Sequence, residues 1–209
     1  MHVAILTFEG FNELDSMIAY GILNRARRPG WRVSIACPTE SVTSMNGLVI
    51  GSQASLAEAC AADAVLVGSG VRTREVVRDA TIMDVLRLDS ARQLVGAQCS
   101  GTLVLAKMGL LIEGRACTDL TTKPWVQEAG VTVLEQPFHA SGNVATAGGC
   151  LASHYLAAWV LARALGEEAA RAALHYVAPV GEKEQYVERA MGHIARYLES
   201  TRAAEAGVT

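Results

Sequence analysis

The 209-residue sequence contains no basic cluster, no Cys-x-x-Cys pair and no apolar run long enough to span a bilayer. Each absence excludes something. A formal net charge of −3 without a basic stripe leaves no electrostatic footprint for nucleic acid or for an anionic membrane surface. No uninterrupted apolar stretch approaches the roughly 18–20 residues of a membrane-spanning helix. The opening MHVAILTFEG lacks a charged leader region and a small-residue cleavage site, so it reads as a first strand rather than a secretion signal. A soluble, cytoplasmic protein is expected. Repeats and low-complexity linkers are also missing, so residues 1–198 read as a single domain and 199–209 as a C-terminal tail.

Disulfide and metal chemistry find little support in the spacing. The five cysteines, Cys37, Cys60, Cys99, Cys117 and Cys150, are odd in number and scattered through apolar segments. His2, His139, His154, His175 and His193 show no ligand spacing, so no metal and no other cofactor is expected. His154 stands in an Ala/Leu-rich helical pattern and reads as a core residue.

What the sequence does have is alternation. Apolar β-type runs (HVAILTF, WRVSIACP, DAVLVGSG, QLVGAQC) alternate with helical patterns beginning at Asn12, Thr73 and Ser100. Asn46-Gly47 signals a turn before GLVIGS. Shorter strands are expected around GRACTD, GVTVLE and GNVATAGG, then a helix from Cys150 to about Leu165 and an amphipathic one from Glu182 to Glu199. Strand–helix alternation argues an α/β fold with a mostly parallel sheet covered on both faces, where ligands bind beyond the carboxyl ends of the strands. Cys99 and Gly68-Ser69-Gly70 both lie at such ends.

Cys99 is the residue that asks for a role. Ala97-Gln98-Cys99-Ser100-Gly101 places small residues two before and two after a thiol at a strand-to-helix bend, as a nucleophile elbow requires. The helix start adds free N–H groups that favour a developing anion. The alternative is a buried cysteine closing a core strand. Asp15, three residues after Asn12, likewise has two readings: a site carboxyl, or half of a helix-start capping arrangement.

These segments, with FEGFNELDSMIAYGIL and GNVATAGGCLASHYLAAWVLARALG, resemble the ThiJ/PfpI superfamily over nearly the whole chain, up to about residue 198. CSGTLVLAKMGLL and the Leu14-Asp15 pair are most similar to its isonitrile hydratase branch. The resemblance implies a flavodoxin-like three-layer sandwich with Cys99 as nucleophile and Asp15 as general acid/base. Ser100, where protease-like members carry His, favours the hydratase branch. It also implies a backbone oxyanion site at Gly70 and Ser100 and apolar pocket walls that include Ile18. The expected substrate is a small apolar molecule, and the expected assembly is a homodimer. Two places depart from the relatives' pattern: Gly68-Ser69-Gly70 replaces a Pro-Gly-Gly loop, losing the proline and adding the Ser69 side chain, and Asp119 stands where many relatives have His. No His-x-Glu pair follows His175, which excludes glutamine amidotransferase activity, and Asp119 counts against Cys–His peptidase chemistry. The competing expectation is a non-catalytic ligand-binding or thiol redox-sensing protein on the same fold.

Overall fold

The computed structural model describes the backbone of residues 1–206, with the side chains of all of these except Ile112 and residues 199–206. The first half comprises β1 (His2–Leu6), α1 (Glu13–Leu23), β2 (Arg32–Ala36), β3 (Ser41–Thr43), β4 (Val49–Gly51), α2 (Leu56–Ala61) and β5 (Ala64–Val67). Next come α3 (Thr73–Val76), α4 (Ala80–Met83), β6 (Leu94–Gln98), α5 (Gly101–Lys107), β7 (Arg115–Ala116), α6 (Lys123–Glu128) and β8 (Thr132–Val133). The chain then forms β9 (Phe138–Ser141), β10 (Val144–Ala147), α7 (Ser153–Leu165), α8 (Glu167–Val177) and α9 (Lys183–Ala206). Among the described residues no helix is long and apolar enough to cross a membrane.

Six strands form the main sheet in the order β2-β1-β5-β6-β10-β9, all parallel except β9, which runs antiparallel to β10 at the edge. Alternate residues of each strand serve opposite faces, because side chains alternate along a strand. Val3, Ile5 and Leu66 pack beneath α1, α7, α8 and α9 with Leu23, Leu156, Trp159 and Leu174. Ala4, Leu6, Val65, Val67, Val95 and Ala97 face α2, α3 and α5 with Leu56, Val76, Val104 and Leu105. This is the expected α/β three-layer sandwich. The register brings Leu6, Val67, Ala97 and Thr146 level, so the loops after β1, β5 and β6 meet at one rim. The switch in strand direction of travel lies between β1 and β5, where doubly wound sheets open their ligand crevice.

Several elements differ from the sequence reading. The pattern from Thr73 to Arg92 does not make one helix. Asp79 accepts hydrogen bonds from the amide and hydroxyl of Thr81, starting α4 as a new turn, while Leu86 and Leu88 reach the core from an irregular segment. The strands expected around GRACTD and GVTVLE shrink to the two-residue pair β7 and β8. Asn46-Gly47 does turn a hairpin, with β3 and β4 antiparallel and Gly47 at φ +90°. The helix α9 crosses the 198/199 boundary to Ala206, and residues 207–209 of the expected tail lie outside the described residues.

Candidate active site

The strand β6 ends at Gln98, and Cys99 turns the chain into α5 with φ +45°. That left-handed value costs a side-chain-bearing residue on the order of 1–3 kcal/mol, so the surroundings must enforce it. They do so from three sides. The Cys99 amide donates to Ala147 O at 2.9 Å, and its carbonyl accepts from Thr118 Oγ1 at 2.8 Å. Gly101 presses against β5: a Cβ there would sit 2.5 Å from Val67 O and 2.8 Å from Gly68 O. Only glycine lets the helix start so close to the neighbouring strand.

The thiol is 3% exposed and accepts a 3.4 Å contact from Gln98 Nε2, which is itself anchored to Gly149 O at 2.8 Å. Burial, reinforced by the negative charge of Asp15 and more weakly of Asp119, pushes its pKa far above the ordinary thiol range. At neutral pH Cys99 is therefore a neutral thiol.

Asp15 lies in the first turn of α1. Asn12 caps that helix, its side chain accepting from the Leu14 amide at 3.1 Å, but Asp15 does not reciprocate, because the Asn12 amide donates to Ser69 O at 2.8 Å. The capping-box alternative for Asp15 is thus not realised. Its carboxyl is 1% exposed, accepts from Ser69 Oγ at 2.5 Å and Ser16 Oγ at 3.5 Å, and approaches the Cys99 sulfur within 4.8 Å. Burial raises its pKa to about 6, against the opposing pull of these hydrogen bonds. Near neutrality it can take up and return a proton.

Ser69 is the departure from a glycine-rich loop, and its hydroxyl is what holds the Asp15 carboxyl in place. Ser100 Oγ accepts from the Gly70 amide at 3.0 Å and pairs with Thr73 Oγ1 at 2.7 Å. The Gly70 N–H is thus taken up by Ser100 Oγ in this structure. The first amides of α5, from Ser100 and Gly101, have no partner within the helix and follow Cys99 directly in the chain. Asp119 accepts from the amides of Thr121 and Thr122 and from Thr122 Oγ1 at 2.5 Å, an acid that shapes the entry to α6. Ile18 faces elsewhere, lining a separate cavity with His154 and Tyr186. His154 is buried there, its Nδ1 against Leu151 O and its Nε2 without a partner.

Two neighbours escaped the sequence reading. Cys150, just after β10, brings its sulfur into the same group as Cys99 and Asp15, all three donor atoms lying within 4.8 Å of one another. Trp125 of α6 closes one wall. Together with Asn12, Met45, Val71 and Cys99, these residues line a cavity of about 270 Å³ above the thiol. No local motif pointed to them, since they come from loops far apart in the chain.

An α/β sandwich with a strained cysteine elbow facing a buried carboxyl defines a class of cysteine-centred proteins, and the comparisons identify which one. The sequence profile of the DJ-1/PfpI family matches residues 1–163. The chain belongs to that family. It is 26% identical over 154 residues to the isonitrile hydratase of Pseudomonas putida, covering 73% of this chain and 67% of that protein. Among solved structures, a ThiJ/PfpI family protein from Pseudomonas syringae superposes with a TM-score of 0.75 at 19% identity, covering 97% of this chain and 89% of the other. Schizosaccharomyces pombe DJ-1 gives 0.73 at 16% identity, with coverages of 86% and 100%. Drosophila melanogaster DJ-1beta gives 0.72 at 22%, with coverages of 84% and 96%.

Proposed function

We propose that the protein is a cysteine-dependent hydratase that converts small apolar isonitriles to N-substituted formamides. The observation that carries this reading is the Cys99 sulfur held within 4.8 Å of the buried Asp15 carboxyl, whose burial raises its pKa to about 6 and suits it to move a proton near neutrality. Attack on an uncharged substrate needs a proton moved rather than a charge neutralised. The Cys99 sulfur bonds to the isonitrile carbon while Asp15 takes the thiol proton and delivers it to that carbon, giving a thioimidate. Asp15 then deprotonates a water that adds to the thioimidate carbon. Asp15 passes that proton to the imine nitrogen; the tetrahedral adduct then collapses, its hydroxyl oxygen becoming the carbonyl as the C–S bond breaks and the hydroxyl proton passes to sulfur, and the formamide leaves. The amides of Ser100 and Gly101 stabilise the charge that develops beside the elbow.

The hydratase similarity supports the substrate class, and the cavity's Met45, Val71 and Trp125 suit an uncharged, apolar substituent. A homodimer in the cytoplasm belongs to the same proposal. Leu151 and Val177 stand exposed at the cavity of Ile18, which gives a second copy an apolar face to cover.

The test is incubation with cyclohexyl isonitrile, with the formamide followed by mass spectrometry and the protein quenched during turnover. A protein adduct equal in mass to one intact isonitrile, located on Cys99, is the expected intermediate. Formamide production that survives in Cys99→Ala would overturn the proposal.

A further inference from the structure

Cys150 gives the site a second sulfur that the hydratase chemistry does not use. It follows the Gly148-Gly149 turn, and its Sγ accepts from Asn12 Nδ2 at 3.1 Å. The Cys99 sulfur, the Cys150 sulfur and an Asp15 oxygen are drawn from the loop after β6, the loop after β10 and the first turn of α1. They converge within 4.8 Å. Zinc bonds of ~2.3 Å to sulfur and ~2.0 Å to oxygen, set at tetrahedral angles, separate sulfurs by about 3.8 Å and sulfur from oxygen by about 3.5 Å.

Each donor also has an outer partner: Gln98 Nε2 on Cys99, Asn12 Nδ2 on Cys150 and Ser69 Oγ on Asp15. Such partners orient metal ligands and are part of a built site. The donor set selects the ion. Two sulfurs are wrong for calcium or magnesium, which take oxygen ligands, and a carboxylate beside them favours zinc over a soft monovalent ion served by thiolates alone. A fourth position opens toward the cavity, among Ser100, Trp125 and Met45.

We infer that Asp15, Cys99 and Cys150 form a three-donor site for a zinc ion. On binding, each thiol gives its proton to solvent and coordinates as thiolate. The ion occupies the sulfur that the proposed hydratase needs, so the zinc-loaded form holds that chemistry off. The binding claim itself needs only the three donors and stands apart from the catalytic reading.

The test uses the full chain, reduced and stripped with a chelator under anaerobic conditions. Zinc is titrated against a chromophoric chelator, and cobalt(II) is added separately as a spectroscopic substitute. One equivalent of zinc per chain and a thiolate-to-cobalt charge-transfer band are expected. Cys150→Ser and Asp15→Asn should each weaken zinc binding about 100-fold or more, beyond the loss typical of an outer-partner change. Cys60→Ser, altering a thiol outside the cavity, should leave it intact. Circular dichroism verifies that the variants fold. No stoichiometric binding by the reduced chain overturns the inference, as does binding retained in both site variants. So does ready closure of a Cys99–Cys150 disulfide in a chain that binds no zinc when reduced. Absence of isonitrile turnover leaves the zinc readout untouched.

Discussion

Asp15→Asn isolates what it costs the fold to bury the carboxyl of the site. The group is 1% exposed, and its pKa is about 6 in the folded chain against 3.8 for the free side chain. That gap of about 2.2 pH units, at ~1.36 kcal/mol each, corresponds to about 3 kcal/mol. The sign follows from proton binding. Well below 3.8 both folded and unfolded chains hold the proton and no cost appears. Between 3.8 and 6 the folded chain keeps a proton that the unfolded chain has released, so each rise in pH favours unfolding. Above 6 the full cost is present. Asparagine keeps the shape and an acceptor for Ser69 Oγ but carries no charge. Urea unfolding of both proteins at intervals from about pH 4 to about pH 8 should show the variant gaining about 2.5 kcal/mol relative to the wild type across that range. A difference that stays flat with pH, or shrinks as pH rises, would refute the account of a carboxyl held against its desolvation.

Further predictions concern the elbow and its setting. Gly101→Ala forces a Cβ against Val67 O and Gly68 O, and should cost about 1–3 kcal/mol in urea unfolding. Alkylation of Cys99 by iodoacetamide, read by peptide mass spectrometry, should be slow at neutral pH and still climbing above about pH 9. In Asp15→Asn the same reaction should be faster at a given pH, because a negative neighbour of the thiol is gone; an unchanged rate would exclude that coupling. Ser55→Ala breaks the reciprocal Ser55–Glu58 capping box of α2, far from the site. It should lower stability by about 1 kcal/mol while leaving formamide production as it was.

The parts of the fold that could be read from the sequence are those whose signals are local. β1, β5 and β6 are buried on both faces, so they appear as near-continuous apolar runs, and the small residues around Cys99 reflect a steric demand within five positions. The segment from Thr73 to Arg92 misleads because Leu86 and Leu88 reach the core from the irregular stretch that follows the short helix α4. The role of Ser69 could not be seen either: its hydroxyl meets a carboxyl 54 residues earlier, and the meeting depends on β1 lying beside β5. Cys150 is the extreme case, touching Asn12 across 138 residues. A pattern of spacing carries no trace of such convergence, so a search of histidine and cysteine intervals passes over it. Ile18, one turn after Asp15 on α1, lines a different cavity from the one above the thiol, a placement that no local pattern distinguishes.

The central claim is that Cys99 and Asp15 act together on an isonitrile, and one assay tests it most directly. Formamide production is measured at pH 7 for the wild type, Cys99→Ala and Asp15→Asn, each reduced and chelator-treated beforehand. The account predicts turnover by the wild type, none detectable for Cys99→Ala, and a fall of about 10²–10⁴-fold for Asp15→Asn, the range for loss of a general acid–base. A wild-type protein with a free, alkylatable Cys99 that makes no formamide from alkyl or aryl isonitriles would contradict it.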